Sequence, residues 1–170
     1  MKKLLTFVMM AAFGLWMISC DTRDDRDYVD HDTYSIVYDL ANVDLTYSPA
    51  DGLYSISRTM NIYNSDVLLM YRRTGTTTTG QPVWQQIPRT IYFNSGDELD
   101  YDFDFSSQDF VIYASGTYDL STTPEYINDQ TFRVVIVPAS FGAQKSQVDY
   151  SDYDSVIQHY NIDDSKPVKL

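Results

Sequence analysis

From residue 34 onward, apolar and polar positions recur at the short period of β-strands. Residues 34–38 open the pattern, and Val43-Asp-Leu-Thr-Tyr47 alternates as a half-buried strand does. Ser48-Pro-Ala-Asp-Gly52 is a turn with glycine where a positive φ is wanted, and residues 53–62 answer the preceding strand, so the pair predicts a hairpin. Residues 66–71 form a continuous apolar run, the pattern of a central strand covered on both faces. A threonine-rich loop at 74–80 follows. Strands are then expected at 82–87 and 89–93 around Pro88, at 99–105, at 110–114 and at 131–137, with a turn at 94–97. Short strands separated by turn residues predict a mainly β fold, a single antiparallel β-sandwich or small barrel over residues 34–162. Only residues 151–160 carry a helical stripe, with Tyr153, Val156, Ile157 and Tyr160 on one face and Ser151 or Asp152 as the cap. That helix is expected to plug an open end of the sandwich, and residues 163–170 to form a flexible tail.

The N-terminal segment follows different rules. Lys2 and Lys3 precede an apolar run over 4–18, which ends at Ser19-Cys20. A spanning helix needs about 20 apolar residues, and this run of 15 is bounded by lysines and then by Asp21, Asp24 and Asp25. It reads as a secretory signal, residues 1–19. Leu15-Trp-Met-Ile-Ser-Cys20 fits a loose lipobox, with Met17 in place of the commoner leucine. Cleavage elsewhere, with Cys20 incidental, is the competing reading. Cys20 is the single cysteine, and a lone thiol in an exported chain is otherwise an oxidation liability. Lipidation of Cys20 and membrane anchorage through that lipid are therefore expected. Residues 20–33 are polar, charged and aperiodic, the composition of a tether.

Composition narrows the partners. The formal net charge is −12; removing the leader takes away two lysines and no acids, leaving −14. Such a charge disfavours nucleic acid and anionic bilayers as electrostatic partners. With one cysteine the domain must hold itself by its core. Fifteen tyrosines suit half-buried sheet surfaces, ring packed and hydroxyl wet.

Candidate chemistry is sparse. Glu98, Asp100, Asp102 and Asp104 alternate with Leu99, Tyr101, Phe103 and Phe105, so a strand here has an acidic face and a core face. A solvated acidic face is the first reading, cross-strand pairing with Arg58, Arg72 or Arg73 the second. Calcium at Asp100, Asp102 and Asp104 is the third: a calcium loop needs glycine at its sixth position and glutamate at its twelfth, where Phe105 and Val111 stand. The two histidines, His31 and His159, cannot assemble a zinc set, and no nucleophile elbow accompanies His159. Phosphate and dinucleotide glycine motifs are absent, so no catalytic residue and no cofactor is assigned. Trp84, with Tyr92 and Tyr113, is a candidate aromatic platform for a ligand, against the plainer reading of Trp84 as core.

Two resemblances add to this. Arg23-Asp24-Asp25 resembles the acidic export signal that follows the lipidated cysteine in Bacteroidota lipoproteins displayed on the outer face of the outer membrane; a solvated linker is the alternative. Val67-Leu-Leu-Met-Tyr-Arg72, Val83-Trp-Gln-Gln-Ile-Pro-Arg-Thr-Ile91, Leu99-Asp-Tyr-Asp-Phe-Asp-Phe105, Tyr118-Asp-Leu-Ser121 and Phe132-Arg-Val-Val-Ile-Val-Pro-Ala139 resemble a family of uncharacterised flavobacterial lipoproteins, over most of 34–162. Relatives often carry a collagen-like stalk, replaced here by the acidic tether. Some bear a dihydrolipoamide dehydrogenase label, which this chain contradicts: it lacks a flavin fingerprint and a redox cysteine pair, and it is too short. The resemblance transfers no site residues. It implies an outer-membrane lipoprotein facing the exterior, with the periplasmic face as alternative. The expected function is a non-catalytic binding or envelope and secretion accessory module with an envelope protein as partner; the alternative is a glycan-binding or glycan-active lipoprotein.

Overall fold

The computed structural model describes residues 35–138 and 148–170; the leader, the tether, Cys20, Arg23, Asp24, Asp25 and His31 lie outside the described residues. The described chain folds as two separate five-stranded sheets, a sandwich rather than a closed barrel. The first sheet runs β10 (Val168–Lys169), β1 (Ile36–Val43), β9 (Gln130–Val137), β4 (Val67–Thr76) and β5 (Pro82–Ile87). The second runs β2 (Thr46–Ser48), β3 (Leu53–Thr59), β8 (Asp109–Gly116), β7 (Glu98–Phe105) and β6 (Arg89–Tyr92). The predicted hairpin is β2–β3, closed where the Gly52 amide donates to the Ser48 carbonyl at 2.8 Å, with Gly52 at φ +72°. Residues 82–93 change sheets at Ile87–Pro88, leaving β5 in one layer and β6 in the other.

Between the sheets lies the larger core, built on Leu40, Met70, Leu99, Phe110, Ile112 and Phe132. Alternation supplies it: Leu68 and Met70 of β4 point inward, while Leu69 and Tyr71 point outward. The apolar run of β4 therefore needs cover on two sides, as its sequence predicts. Val37, Val135 and Val137 join Leu69 and Tyr71 on the outer face.

That outer face is where the helix goes. Helix α1 (Tyr153–His159) lays Tyr153, Val156, Tyr160 and the following Ile162 across it, instead of plugging an end of the sandwich. The physical reason is the continuous apolar pattern of β4 and β9. An end plug would leave Leu69, Tyr71 and Val135 wet, and each buried aliphatic side chain contributes about 1.5–3 kcal/mol. Asp152 caps the helix, its carboxylate accepting from the Asp154 amide at 3.1 Å and the Ser155 hydroxyl at 2.6 Å.

The tail also departs from expectation. Val168 and Lys169 pair in parallel with Tyr38 and Asp39, and the Leu170 amide donates to the Asp39 carbonyl at 3.1 Å. A two-residue strand leaves no period to read, but it satisfies backbone groups along the edge of β1.

Three tyrosine hydroxyls are drawn into this scaffold. Tyr71 donates to the Tyr150 carbonyl at 2.9 Å, Tyr101 to the Tyr126 carbonyl at 2.5 Å, and Tyr153 to Asp164 at 2.5 Å. Burial, above all, pushes these phenols well above their ordinary value; the nearby Asp152 adds to this at Tyr71 and the Asp164 bond at Tyr153. The folded state keeps them neutral while the unfolded chain ionises near pH 10. Their contribution is therefore complete below pH 10 and is lost as pH rises above it, at about 1.4 kcal/mol per tyrosine per pH unit. An ultraviolet titration should show these phenolates appearing only with cooperative unfolding; ionisation in step with exposed tyrosines, the fold intact, would contradict the packing.

Candidate functional site

Strand β7 presents Glu98, Asp100, Asp102 and Asp104 on the outer face of the second sheet, and Leu99 and Tyr101 inward. Phe103 is half-buried, and Phe105 is 47% exposed, because β7 here runs out to the turn that joins it to β8. The core face thus stops short of the four residues that alternation assigns to it. Asp100 accepts from the Thr90 hydroxyl across the sheet at 2.5 Å, and Tyr113 stands opposite Asp102. Burial first, then the charges of Asp102 and Asp104, raises the Tyr113 phenol. The three arginines considered as partners are engaged elsewhere. Arg58 donates to the Ser57 carbonyl at 2.9 Å, Arg73 to the Thr76 hydroxyl at 2.9 Å, and Arg72 to Gln130 at 2.8 Å. None of the three forms an ion pair with the acidic row among the described residues; Asp104 is exposed, while Glu98, Asp100 and Asp102 are half-buried. Among the described residues no three His, Cys, Asp or Glu side chains gather as metal ligands, Asp100, Asp102 and Asp104 included.

The aromatic platform is not assembled. Trp84, in register with Arg73, lies on the outer face of the first sheet; Tyr92 and Tyr113 lie on the outer face of the second. Tyr92 is 74% exposed. Trp84 packs beside Tyr153 of the helix, ring centres 5.8 Å apart, and its indole N–H is buried without an acceptor among the described residues. His159 ends the same helix, its ring edge-on to Tyr160.

What Trp84 joins is a charged cluster that pattern reading does not assign. Arg133 of β9 donates to both Asp39 oxygens, Nε at 2.7 Å and one Nη at 2.8 Å. Its other Nη donates to the Tyr153 hydroxyl at 2.7 Å and Asp164 at 3.3 Å, and the guanidinium lies 4.4 Å from the Trp84 ring centre. Every polar face of this cation is met from within the fold. The cluster ties helix and tail to the sheet and leaves no free group for chemistry. A lone arginine inside Phe132-Arg-Val-Val-Ile136 is the sequence signal for it, since a buried charge demands a partner.

The surface opens elsewhere. A cleft of about 390 Å³ lies along the β2–β3 edge, lined by Tyr47, Tyr54, Gly116, Tyr118, Asp119 and Leu120 among others. Hairpin register sets Tyr47 opposite Tyr54, with ring centres 5.2 Å apart and planes inclined by 50°. Tyr47 is 50% exposed, so one ring meets solvent. The Tyr118 hydroxyl hydrogen-bonds with Thr123 at 2.8 Å, which fixes that ring. Asp119 accepts from the Ser121 amide at 3.0 Å, and the Ser121 bonds hold its carboxyl below the usual range. Gly116 keeps the wall closed: a Cβ there would stand 2.7 Å from a Leu120 methyl and 3.0 Å from the Glu98 carbonyl oxygen. Neither histidine nor cysteine lines the cleft. Rings, the Asp119 carboxylate, Ser115 and backbone groups make a contact surface. The legible signal was the paired tyrosines flanking the Gly52 turn.

Comparison with models of protein families, with curated proteins and with solved structures found no match to this chain.

Proposed function

We propose that the chain is a membrane-anchored, non-catalytic binding module of the bacterial envelope, held through a lipid on Cys20. Residues 20–33 serve as its tether, and Arg23, Asp24 and Asp25 direct it to the outer face of the outer membrane. The leader and the lipobox support the anchor, and the resemblance of residues 34–162 to flavobacterial lipoproteins points the same way. The observation that carries the binding part is the tyrosine-lined cleft at the β2–β3 edge, whose exposed Tyr47 ring and Asp119 carboxylate offer contact groups to a partner. Its expected partner is another envelope component.

A second reading, glycan recognition, rests on the same cleft. Tyr47 and Tyr54 offer ring faces for the C–H side of a sugar, and Asp119 offers an acceptor for its hydroxyls.

One experiment addresses both parts. The mature protein from membranes should carry an acylated N-terminus at Cys20, and Cys20→Ala should leave the membrane fraction. Envelope pull-down and glycan-array binding should both be tried with the intact chain and with Tyr47→Ala. Tyr47→Ala should weaken the bound partner about tenfold or more, with stability held within about 0.5 kcal/mol, as expected of an exposed position. Capture of an envelope protein selects the first reading and a glycan signal the second. Undiminished binding by Tyr47→Ala would remove the cleft from the proposal, and an unmodified N-terminus would remove the anchor.

A further inference from the structure

A second arginine is buried without an acid. Arg72 in the middle of β4 is 8% exposed, as is Arg133, yet the two are treated differently. Arg133 has Asp39 in a two-point contact. Arg72 donates its Nε–H to the Gln130 side-chain carbonyl at 2.8 Å; among the described residues no carboxylate lies within ion-pair distance of it, and no acceptor meets its Nη groups. Gln130 is itself locked, its amide nitrogen donating to the Glu125 carbonyl at 2.8 Å and the Asn128 carbonyl at 2.6 Å. The guanidinium stands 4.5 Å from the centre of the Tyr101 ring and 5.8 Å from that of Tyr126. Ring faces offset part of the cost of burying a cation, but they leave its N–H edge unmet. This happens in a chain with 24 acidic residues, so the missing partner is not explained by scarcity.

The unmet edge borders a pocket. Arg72 forms part of the wall of an open cavity of about 370 Å³, together with Asn42, Arg73, Glu125, Asp129 and Thr131 among others. Two arginines against two acids leave the wall near neutral. One negative charge placed on Arg72 is therefore favoured, and a doubly charged phosphate is not. The outer edge of a guanidinium matches the two oxygens of a carboxylate.

We propose that the Arg72 pocket binds the carboxylate group of a small, singly charged organic acid, with Gln130 and the two tyrosine rings holding the guanidinium in place. The site does not depend on the tyrosine-lined cleft or on Cys20.

The test is a titration of the full-length chain in detergent at constant ionic strength, following the Arg72 Nε–H resonance. The probes are sodium glucuronate, its neutral methyl ester, N-acetylglycinate and inorganic phosphate. A saturable shift with half-effect on the order of 1 mM is expected for a carboxylate, and none for the ester. Glucuronate alone identifies a sugar acid as the source; N-acetylglycinate alone, a peptide-like acid; both, a general carboxylate site, and each of these supports the proposal. Glu125→Gln at the exposed rim should tighten binding about two- to threefold. Arg72→Lys should weaken it about tenfold; because that variant alters a buried position, the titration of the unaltered chain decides. The absence of a saturable shift, an equal response to the ester, or phosphate binding at least as tightly would overturn it.

Discussion

Asp39→Ala is expected to destabilise the domain by about 3–5 kcal/mol, because it leaves the buried Arg133 guanidinium without its two-point acceptor. The loss is larger than for a surface ion pair, since both side chains are largely shielded from water. It is also not local. Arg133 holds Tyr153 of the helix and Asp164 of the tail, and the Leu170 amide is bound to the Asp39 backbone. Thermal melting should show a fall of roughly 10 °C or more. Hydrogen exchange should show α1 and β10 loosening before the inner strands. The double variant Asp39→Ala/Arg133→Met should recover much of the loss, since an apolar pair removes the stranded charge. A single variant as stable as the unaltered chain would mean that Arg133 is far better hydrated than its surroundings imply.

Phe132→Ala should cost a similar amount, about 3–5 kcal/mol, by opening a cavity between the sheets. Phe132 is completely buried on β9, the middle strand of the first sheet, and meets Tyr101 of the second sheet edge-on at 6.3 Å. Tyr101 in turn supports Arg72, so the cavity should also loosen the guanidinium. Phe105→Ala is the comparison: its ring is half in solvent, and its loss should stay within about 0.5 kcal/mol. Urea denaturation of the two variants, read at a common slope, separates them. Equal midpoints would show that the intersheet layer repacks freely.

The strands were legible because alternation is a local property. Leu53 to Thr59 and Glu98 to Phe105 each show their two faces within a few residues, whereas the strand expected over 43–47 is divided, Val43 closing β1 and Thr46 opening β2. The double cover of β4 was legible as an unbroken apolar run. Sheet membership was not. Trp84 and Tyr92 stand eight positions apart, yet the crossing at Pro88 puts them on outer faces of different sheets. The helix was visible from its stripe, but a stripe of tyrosine and valine does not say which apolar surface it will meet. Arg72 and Arg133 were visible as charges in apolar strands. Their opposite fates, one paired with Asp39 and one left with Gln130, depend on residues 58 to 94 positions away. The tyrosine cleft needed both the hairpin register and the return of residues 116–120 beside it.

The pairing of β1 with β9 fixes an order of events. A hundred residues separate Ile36 from its partner Ile136, so the first strand of the sandwich must wait for nearly the last. As the chain emerges from its N-terminus during synthesis, Ile36–Val43 appears early and stays without its β9 partner while the hairpin of the second sheet can already close. Such topology folds slowly, and a product cut short before Gln130 would keep that edge bare, a template for pairing with other chains. Protection of the nascent chain therefore matters most for the interval between the emergence of β1 and that of β9.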